Sequence, residues 1–295
     1  KDSQDSVART EPLEPIVCGH AMPESTFLLA DLSGFERILG RTVAGVLAGQ
    51  RLEVALALDF ESKRMSWRPA EPIPIDPYTT RMEQTPEGPV LKMALNGKAM
   101  RAVLDTSFGG VLSMPESMAS QLGVLNDSTP RLKLLPGNDE SMASAVQFRT
   151  GGLCISTVEL TGPVCALDDS STIARLGSGL LASFRAVIGF PAAFVRLVPI
   201  RALPVTSAPI EGIGLTPISL REGYWTVAVA EDSPADDGGV LPGDVVLAVN
   251  GESMQGAAWT HLFTLLHPIA GQEVRLSLRH AGETQECVLD RKSVV

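Results

Sequence analysis

The chain has 295 residues, 44% hydrophobic and 20% charged, the make-up of a folded protein with room for two or three domains. A net charge of −10 and an aromatic content of 5% argue against nucleic acid or an anionic membrane surface as partner. No apolar run nears the roughly 18 residues of a membrane span. The start at Lys1, without an initiator Met or a signal-peptide pattern, reads as a chain that begins inside a longer or processed product.

Residues 1–14 are polar and read as poorly ordered. From 15 to 67 the pattern is β-rich. Phe27-Leu28-Leu29-Ala30 predicts a buried strand, 31–39 a short helix capped by Asp31 or Ser33, and 43–47 and 52–60 further apolar strands. Pro69, Pro72, Pro74 and Pro77 crowd the next stretch, with Pro86 behind them, so 69–87 reads as an extended linker.

Strand-like runs then return. Residues 92–95 meet an Asn96-Gly97 hairpin turn, and 100–104 end in Asp105-Thr106-Ser107. Gly109-Gly110 opens the apolar run 111–114. Pro115-Glu116 starts a helix that Gly123 stops, with Met118 and Leu122 at i, i+4 spacing. Strands are expected at 145–148, 153–160, 164–167 and 186–188, and a short helix at 171–176.

Asp105 directly follows an apolar strand, so its carboxylate is expected near the interior, where it needs a partner or hydrogen bonds. Two readings stand at this point. Asp105 and Thr106 either satisfy turn backbone, as both residue types commonly do, or form part of a reactive site. The four cysteines, Cys18, Cys154, Cys165 and Cys287, form no CxxC pair and the four histidines are scattered, so no metal and no cofactor is expected. Four small buried thiols, or a Cys154–Cys165 disulfide, both fit the spacing.

A weak internal repeat links Asp31 with Asp168, and Val46-Leu47 with Val187-Ile188. The counterpart of Asp105 in the first copy would fall ahead of Lys1.

Val103-Leu104-Asp105-Thr106, followed downstream by Val187-Ile188-Gly189, resembles the retropepsin-like aspartic protease fold. The Leu95-Asn96-Gly97-Lys98 hairpin fits the resemblance, as do Ala44–Gly49 and Leu58-Asp59-Phe60 more loosely. It implies a whole lobe at 88–205 and the C-terminal half of a first repeat at 1–68. It also implies that Val187-Ile188-Gly189 packs beneath the catalytic turn. The implied site is Asp105, Thr106 and Ser107. The implied chemistry is water attack on a peptide bond between two carboxylates that share a proton. Ser107 stands where the family has Gly, and Phe108 where it has a small residue. The second carboxylate would come from a missing half-repeat or a homodimer partner, or would not exist.

The C-terminal region, Ser233-Pro234-Ala235 followed by Gly239-Val240-Leu241-Pro242-Gly243-Asp244 and Val249-Asn250-Gly251, resembles the PDZ domain signature over 209–292. A strand at 224–230, a short helix from Ser233, a strand at 245–249, an amphipathic helix at 257–266 and a closing hairpin agree with it. Such a module adds a peptide as a strand and captures its terminal carboxylate in a backbone nest. The nest would be Gly212, Ile213, Gly214 and Leu215, and the groove helix would offer His261, Leu262 and Leu265. His261 is either a ligand contact or an exposed helix residue. Pro217 removes one strand donor.

The expected fold is therefore mainly β: retropepsin-like acid-protease β-barrel lobes plus an α+β PDZ domain. Two functions remain open. One is an aspartic-type endopeptidase with a PDZ domain for polypeptide substrates or C-terminal peptides. The other is a degenerate protease-like scaffold acting as a PDZ adaptor. A serine peptidase using Ser107 or Ser170 lacks a partner histidine motif. The combined resemblance implies an exported, bacterial cell-envelope location.

Overall fold

The computed structural model describes residues 10–14, 16–17, 20–21, 24, 29, 31–32, 36, 42–43, 45, 53–69, 72–135, 145–200, 211–267, 272–290 and 292–293. The strand expected at 27–30, the helix at 31–39 and the apolar run 43–47 fall largely outside the described residues.

The chain is built mainly of strands. β1 (Ile16–Val17) and β2 (His20–Ala21) form a small antiparallel pair. β3 (Ala55–Asp59), β4 (Arg64–Arg68), β5 (Thr79–Thr85), β6 (Gly88–Leu95) and β7 (Lys98–Leu104) lead to β8 (Leu112–Met114) and helix α1 (Glu116–Leu122). β9 (Arg131–Leu135), β10 (Ala145–Arg149), β11 (Leu153–Ile155), β12 (Val158–Leu160), β13 (Val164–Leu167) and β14 (Ala174–Leu176) follow. Helix α2 (Ser178–Leu181), β15 (Phe184–Gly189) and β16 (Phe194–Pro199) complete this part.

Local chemistry explains the clearest of these elements. Asn96 (φ 50°) and Gly97 (φ 74°) take the two left-handed positions of a tight hairpin turn, which fixes the β6–β7 register from Leu95↔Lys98 to Val90↔Val103. Gly123 at φ 70° stops α1 as the sequence predicts.

The proline-rich linker is shorter than expected. Residues 79–85 form β5, paired with β6 and β16. All four crowded prolines precede Thr79, so every amide of β5 can enter a ladder. Asp76 fastens this strand. Its carboxylate accepts from Tyr78 N–H at 2.9 Å, Thr79 Oγ1 at 3.0 Å and Arg196 Nε at 2.5 Å, the last on β16. The Arg196 hydrogen bond is the main cause holding the Asp76 carboxyl below its ordinary value. A depressed carboxylate stabilises the fold above its unfolded-state pKa, and that stabilisation is lost as pH falls through the folded value. Urea unfolding midpoints measured from pH 6 down to pH 3 are expected to fall less steeply in Asp76→Asn than in the native chain.

β3–β4 and β15–β16 are similar hairpins lying side by side. Each turn opens on a phenylalanine, Phe60 or Phe190. Each closes on a left-handed residue, Lys63 (φ 53°) or Ala193 (φ 51°), which donates back to that phenylalanine's carbonyl. β3 pairs antiparallel with β15, with Ala57 opposite Val187 and Leu56 opposite Ile188. The pairing places a local two-fold between Ala57 and Val187. Val46 and Leu47, which the internal repeat aligns with Val187 and Ile188, lie outside the described residues; among the described residues β3 with its turn is the hairpin that matches β15.

Two further expectations change. Residues 174–176 are strand β14 rather than a helix, and 153–160 splits into β11 and β12 at Ser156 (φ 55°). One core, including Leu91, Leu104, Leu112, Phe148, Leu176 and Phe184, fills this part of the chain. Of the described cysteines, Cys154, Cys165 and Cys287 are free thiols. Burial pushes the Cys165 thiol up to about 12 and is also the main cause raising that of Cys287. With a disulfide-exchange reagent at pH 8, Cys165 is expected to stay unmodified until the protein is unfolded. Rapid labelling of Cys165 in the native state would contradict its 0% exposure.

A second core, including Ile213, Val227, Val246, Leu262 and Leu276, lies in the C-terminal part. Its elements are β17 (Glu211–Gly212), β18 (Leu215–Arg221), β19 (Tyr224–Ala230), α3 (Pro234–Asp237), β20 (Val245–Val249), β21 (Glu252–Ser253), α4 (Trp259–Leu265), β22 (Glu273–His280), β23 (Glu283–Asp290) and β24 (Lys292–Ser293). Ser233 caps α3 by accepting from Asp236 N–H, with Pro234 at the first helical position. Buried Asp244 accepts from Leu241 N–H at 2.9 Å and contacts His280 Nδ1 at 2.6 Å, which fixes the Pro242-Gly243 turn. The two parts join through a ladder: β9 pairs antiparallel with β19 at Leu135↔Val229 and Leu134↔Ala230. Glu231 N–H donates to Lys133 O at 3.0 Å, and the two side chains form an ion pair. Among the described residues no helix is long and apolar enough to cross a membrane.

Candidate functional site

Strand order creates the setting of Asp105. β14 is inserted between β7 and β8, although those two strands are neighbours in sequence. It runs parallel to β7 (Ala102↔Ala174, Leu104↔Leu176) and antiparallel to β8 (Leu112↔Leu176). The segment joining β7 to β8 must therefore arch across the end of β14. Four places pin the arch. Asp105 N–H donates to Leu176 O at 2.9 Å, and Gly177 N–H to Val111 O at 3.1 Å. Ser178 donates to Phe108 O from its N–H at 2.7 Å and its hydroxyl at 3.0 Å. Gly179 N–H donates to Gly110 O at 3.1 Å.

Gly177 lies directly beneath this arch. A Cβ there would overlap the carbonyl oxygens of Gly110 and Phe108. The apolar-Gly element under the turn is thus Leu176-Gly177, followed by buried Leu180 and Leu181. It is not Val187-Ile188-Gly189, which runs within β15, with the Phe194 ring filling the space beside Gly189. The signal for it is the Leu-Gly step at the very end of the 171–176 stretch expected as a helix, with a Leu-Leu pair three residues on.

Asp105 is half-buried, while Thr106 and Ser107 are exposed. Asp105 Oδ1 accepts from Ser107 N–H at 2.9 Å and from Ser107 Oγ at 2.6 Å. Ser107 takes no left-handed conformation, so the turn does not require the glycine of the resemblance. Phe108 is accommodated because its ring packs where side chains of Gly110 and Gly177 would stand.

The same Asx turn occurs twice more. Ser170 donates N–H and hydroxyl to Asp168 Oδ1, and Ser128 does so to Asn126 Oδ1. Asp168 follows β13, its N–H on Met114 O at the end of β8. Because β14 runs against β8, Asp168 and Asp105 sit at opposite ends of the sheet. Asp168 is also close to Arg175 (3.7 Å), and neighbouring Asp169 accepts from Glu116 N–H at the start of α1. Asp169 thus anchors α1, whereas Asp105 is tied to the inserted strand through Leu176 O. A concavity of about 620 Å³, lined by Val90, Met100, Met118 and Leu122 among others, lies between β6–β7 and α1 and does not include Asp105. Among the described residues, no group of three or more His, Cys, Asp or Glu is placed to hold a metal ion.

The second site is the edge of β18 beside α4. Gly214 (φ 81°) approaches Ser233 so closely that no side chain fits there. The carbonyls of Ile213 and Gly214 accept from Ala235 N–H at 2.9 Å and Ala230 N–H at 2.8 Å. Ile213 itself is in the core, so the Gly212–Leu215 run contributes backbone rather than side chains. The groove helix is turned differently from the expectation. Buried Leu262 and Leu266 fix its phase. Trp259 then faces β18, its indole Nε1 donating to Pro217 O at 2.7 Å, and Phe263 stacks on it with ring centroids 4.5 Å apart. His261 points the other way and meets Glu252 Oε1 on β21 at 2.9 Å, and Leu265 is partly buried against the core.

Residues 225–279 match the PDZ domain family, and that segment folds as a PDZ domain. No curated protein matches the chain. Among solved structures, a retropepsin-like aspartic protease from Rickettsia conorii is similar at 15% identity, over 40% of this chain and 89% of that one, with a TM-score of 0.32. The PDZ domain of a carboxy-terminal protease from Vibrio cholerae, in complex with peptide, is 19% identical over 30% of this chain and 99% of that one, TM-score 0.26. A photosystem II D1 C-terminal processing protease is 25% identical over 32% of this chain, TM-score 0.27. The present chain spans 26% of its length.

Proposed function

We propose that the chain is an aspartic-type endopeptidase of the retropepsin-like class whose PDZ domain binds peptides and bears on the active site. The observation that carries this reading is the arch at the end of β7. An aspartate is held by Leu176 O and Ser107 above an inserted strand and a glycine that tolerates no Cβ. In this reading Asp105 is one carboxylate of a pair, and it takes a proton from a water as that water attacks the peptide carbonyl. The second carboxylate, protonated, donates to the carbonyl oxygen. It comes from the counterpart turn of the other repeat, outside the described residues, or from a second copy of the chain. The two-fold between Ala57 and Val187 supports a paired architecture. Residues 1–68, 88–205 and 209–292 then form the half repeat, the whole lobe and the peptide-binding module. The β9–β19 ladder connects the PDZ sheet to the strand before residues 136–144, so ligand binding at β18 has a short backbone route to the lobe.

A second reading, a non-catalytic PDZ scaffold, is favoured by one observation: the Asp105 turn repeats at Asp168 and Asn126, where it only shapes backbone. The full chain incubated with an unfolded protein between pH 3 and pH 7 separates the two. Internal cleavage found by mass spectrometry supports the peptidase, and no cleavage at any pH supports the scaffold.

A further inference from the structure

The edge of β18 that would receive a ligand is chemically incomplete, and two residues make it so. Val227, opposite Pro217 on β19, turns its N–H to Asp244 O at 3.0 Å and its carbonyl to Gly243 N–H at 2.8 Å. Val227 and Pro217 are thus a non-hydrogen-bonded pair of the antiparallel ladder, and the Pro217 carbonyl faces the groove. Pro217 has no N–H to offer there. Its carbonyl is occupied by the Trp259 indole at 2.7 Å. Two residues earlier Leu215, opposite Val229, has the same outward phase, and among the described residues no side chain takes its N–H or its carbonyl. Strand addition uses alternate residues of the receiving edge, so Leu215 and Pro217 would be the first two stations. Only the first offers both a donor and an acceptor that no side chain already uses. The bulge between Pro217 and Ser219 then breaks the register beyond.

We propose that Trp259 and Pro217 are the specificity-determining residues of a shortened groove. A polypeptide C-terminus is held by its carboxylate and last residue at Gly212–Leu215, and upstream residues are not paired as a strand. Trp259, stacked on Phe263 and bonded to the Pro217 carbonyl, stands at the second station and fills the place an upstream ligand residue would take. The proposal rests on the PDZ domain being a peptide-binding module, and the experiment separates the two.

The probes are combinatorial seven-residue peptides with free carboxylates, and the three-residue peptides with the same ends. They are titrated against the full chain and against the Pro217→Val/Trp259→Phe variant, whose fold is checked by circular dichroism. In the native chain, selection is expected at the last residue alone, with three- and seven-residue peptides binding within about twofold of each other. The variant regains a donor and frees the acceptor, so its seven-residue peptides should bind about tenfold tighter than its three-residue ones. The Trp259 indole N–H, followed by nitrogen-15 NMR, should keep its protection from exchange when peptide is bound. Native selection at the third residue from the end, a steep native gain with length, or loss of indole protection on binding would overturn the proposal. So would binding by the variant alone, because Trp259 would then close the whole groove. No binding by either protein would overturn the peptide-binding reading itself.

Discussion

Asp105→Asn is expected to lower peptide cleavage by the full chain about a thousandfold, a loss typical of removing a general base. The substitution keeps the size of the side chain and the oxygen that accepts from Ser107 N–H and Oγ. It leaves the main-chain bond to Leu176 untouched. Thermal unfolding should therefore be nearly unchanged while activity vanishes. Ser107→Gly is the informative companion. It removes the hydroxyl bond at 2.6 Å and restores the residue that the resemblance prefers. Because the position has no left-handed requirement, the change should be mild for stability and should leave activity within about tenfold. A fully active Asp105→Asn would remove Asp105 from the chemistry.

Gly177→Ala is the second large effect, and it acts on the fold rather than on a proton. The new methyl would collide with two main-chain carbonyls, and neither can move like the far end of a flexible side chain. Both carbonyls are themselves bonded, Phe108 O to Ser178 and Gly110 O to Gly179, so relief of the clash lifts the arch off β14. The expected cost is about 3 kcal/mol of stability, the range of overpacking and strain in a close-packed region. Activity should fall with it. Gly109→Ala, where a Cβ meets nothing within 4 Å, serves as the control and should change little. Equal unfolding midpoints for the two variants would show that the arch is not held as described.

What the sequence made legible follows from locality. The Asn96-Gly97 turn, the Pro115–Gly123 helix limits, the Ser233 cap and the Asn250-Gly251 turn are each specified within a few residues, and each is found in place. The PDZ domain was legible because such signals come in a fixed order over a short span. The insertion of β14 was not legible. It is a parallel pairing between residues 102–104 and 174–176, and no local pattern encodes its partner. For the same reason Val187-Ile188-Gly189 displaced Leu176-Gly177 in the reading. The linker is shorter than the prolines suggest because Thr79–Thr85, between Pro77 and Pro86, contains none. In the groove helix the phase decided the outcome. His261 and Leu265 share one face, but burial of Leu262 and Leu266 turns Trp259 and Phe263 toward β18 instead. Helical spacing restricts which residues stand together, and only tertiary packing says which group faces the strand.

The measurement that bears most directly on the central claim is the pH–rate profile of peptide cleavage by the full chain, run beside Asp105→Asn. A carboxylate pair sharing one proton predicts a bell with both limbs below pH 7, absent in the variant. Cleavage that rises toward neutral pH and survives in Asp105→Asn would contradict the account.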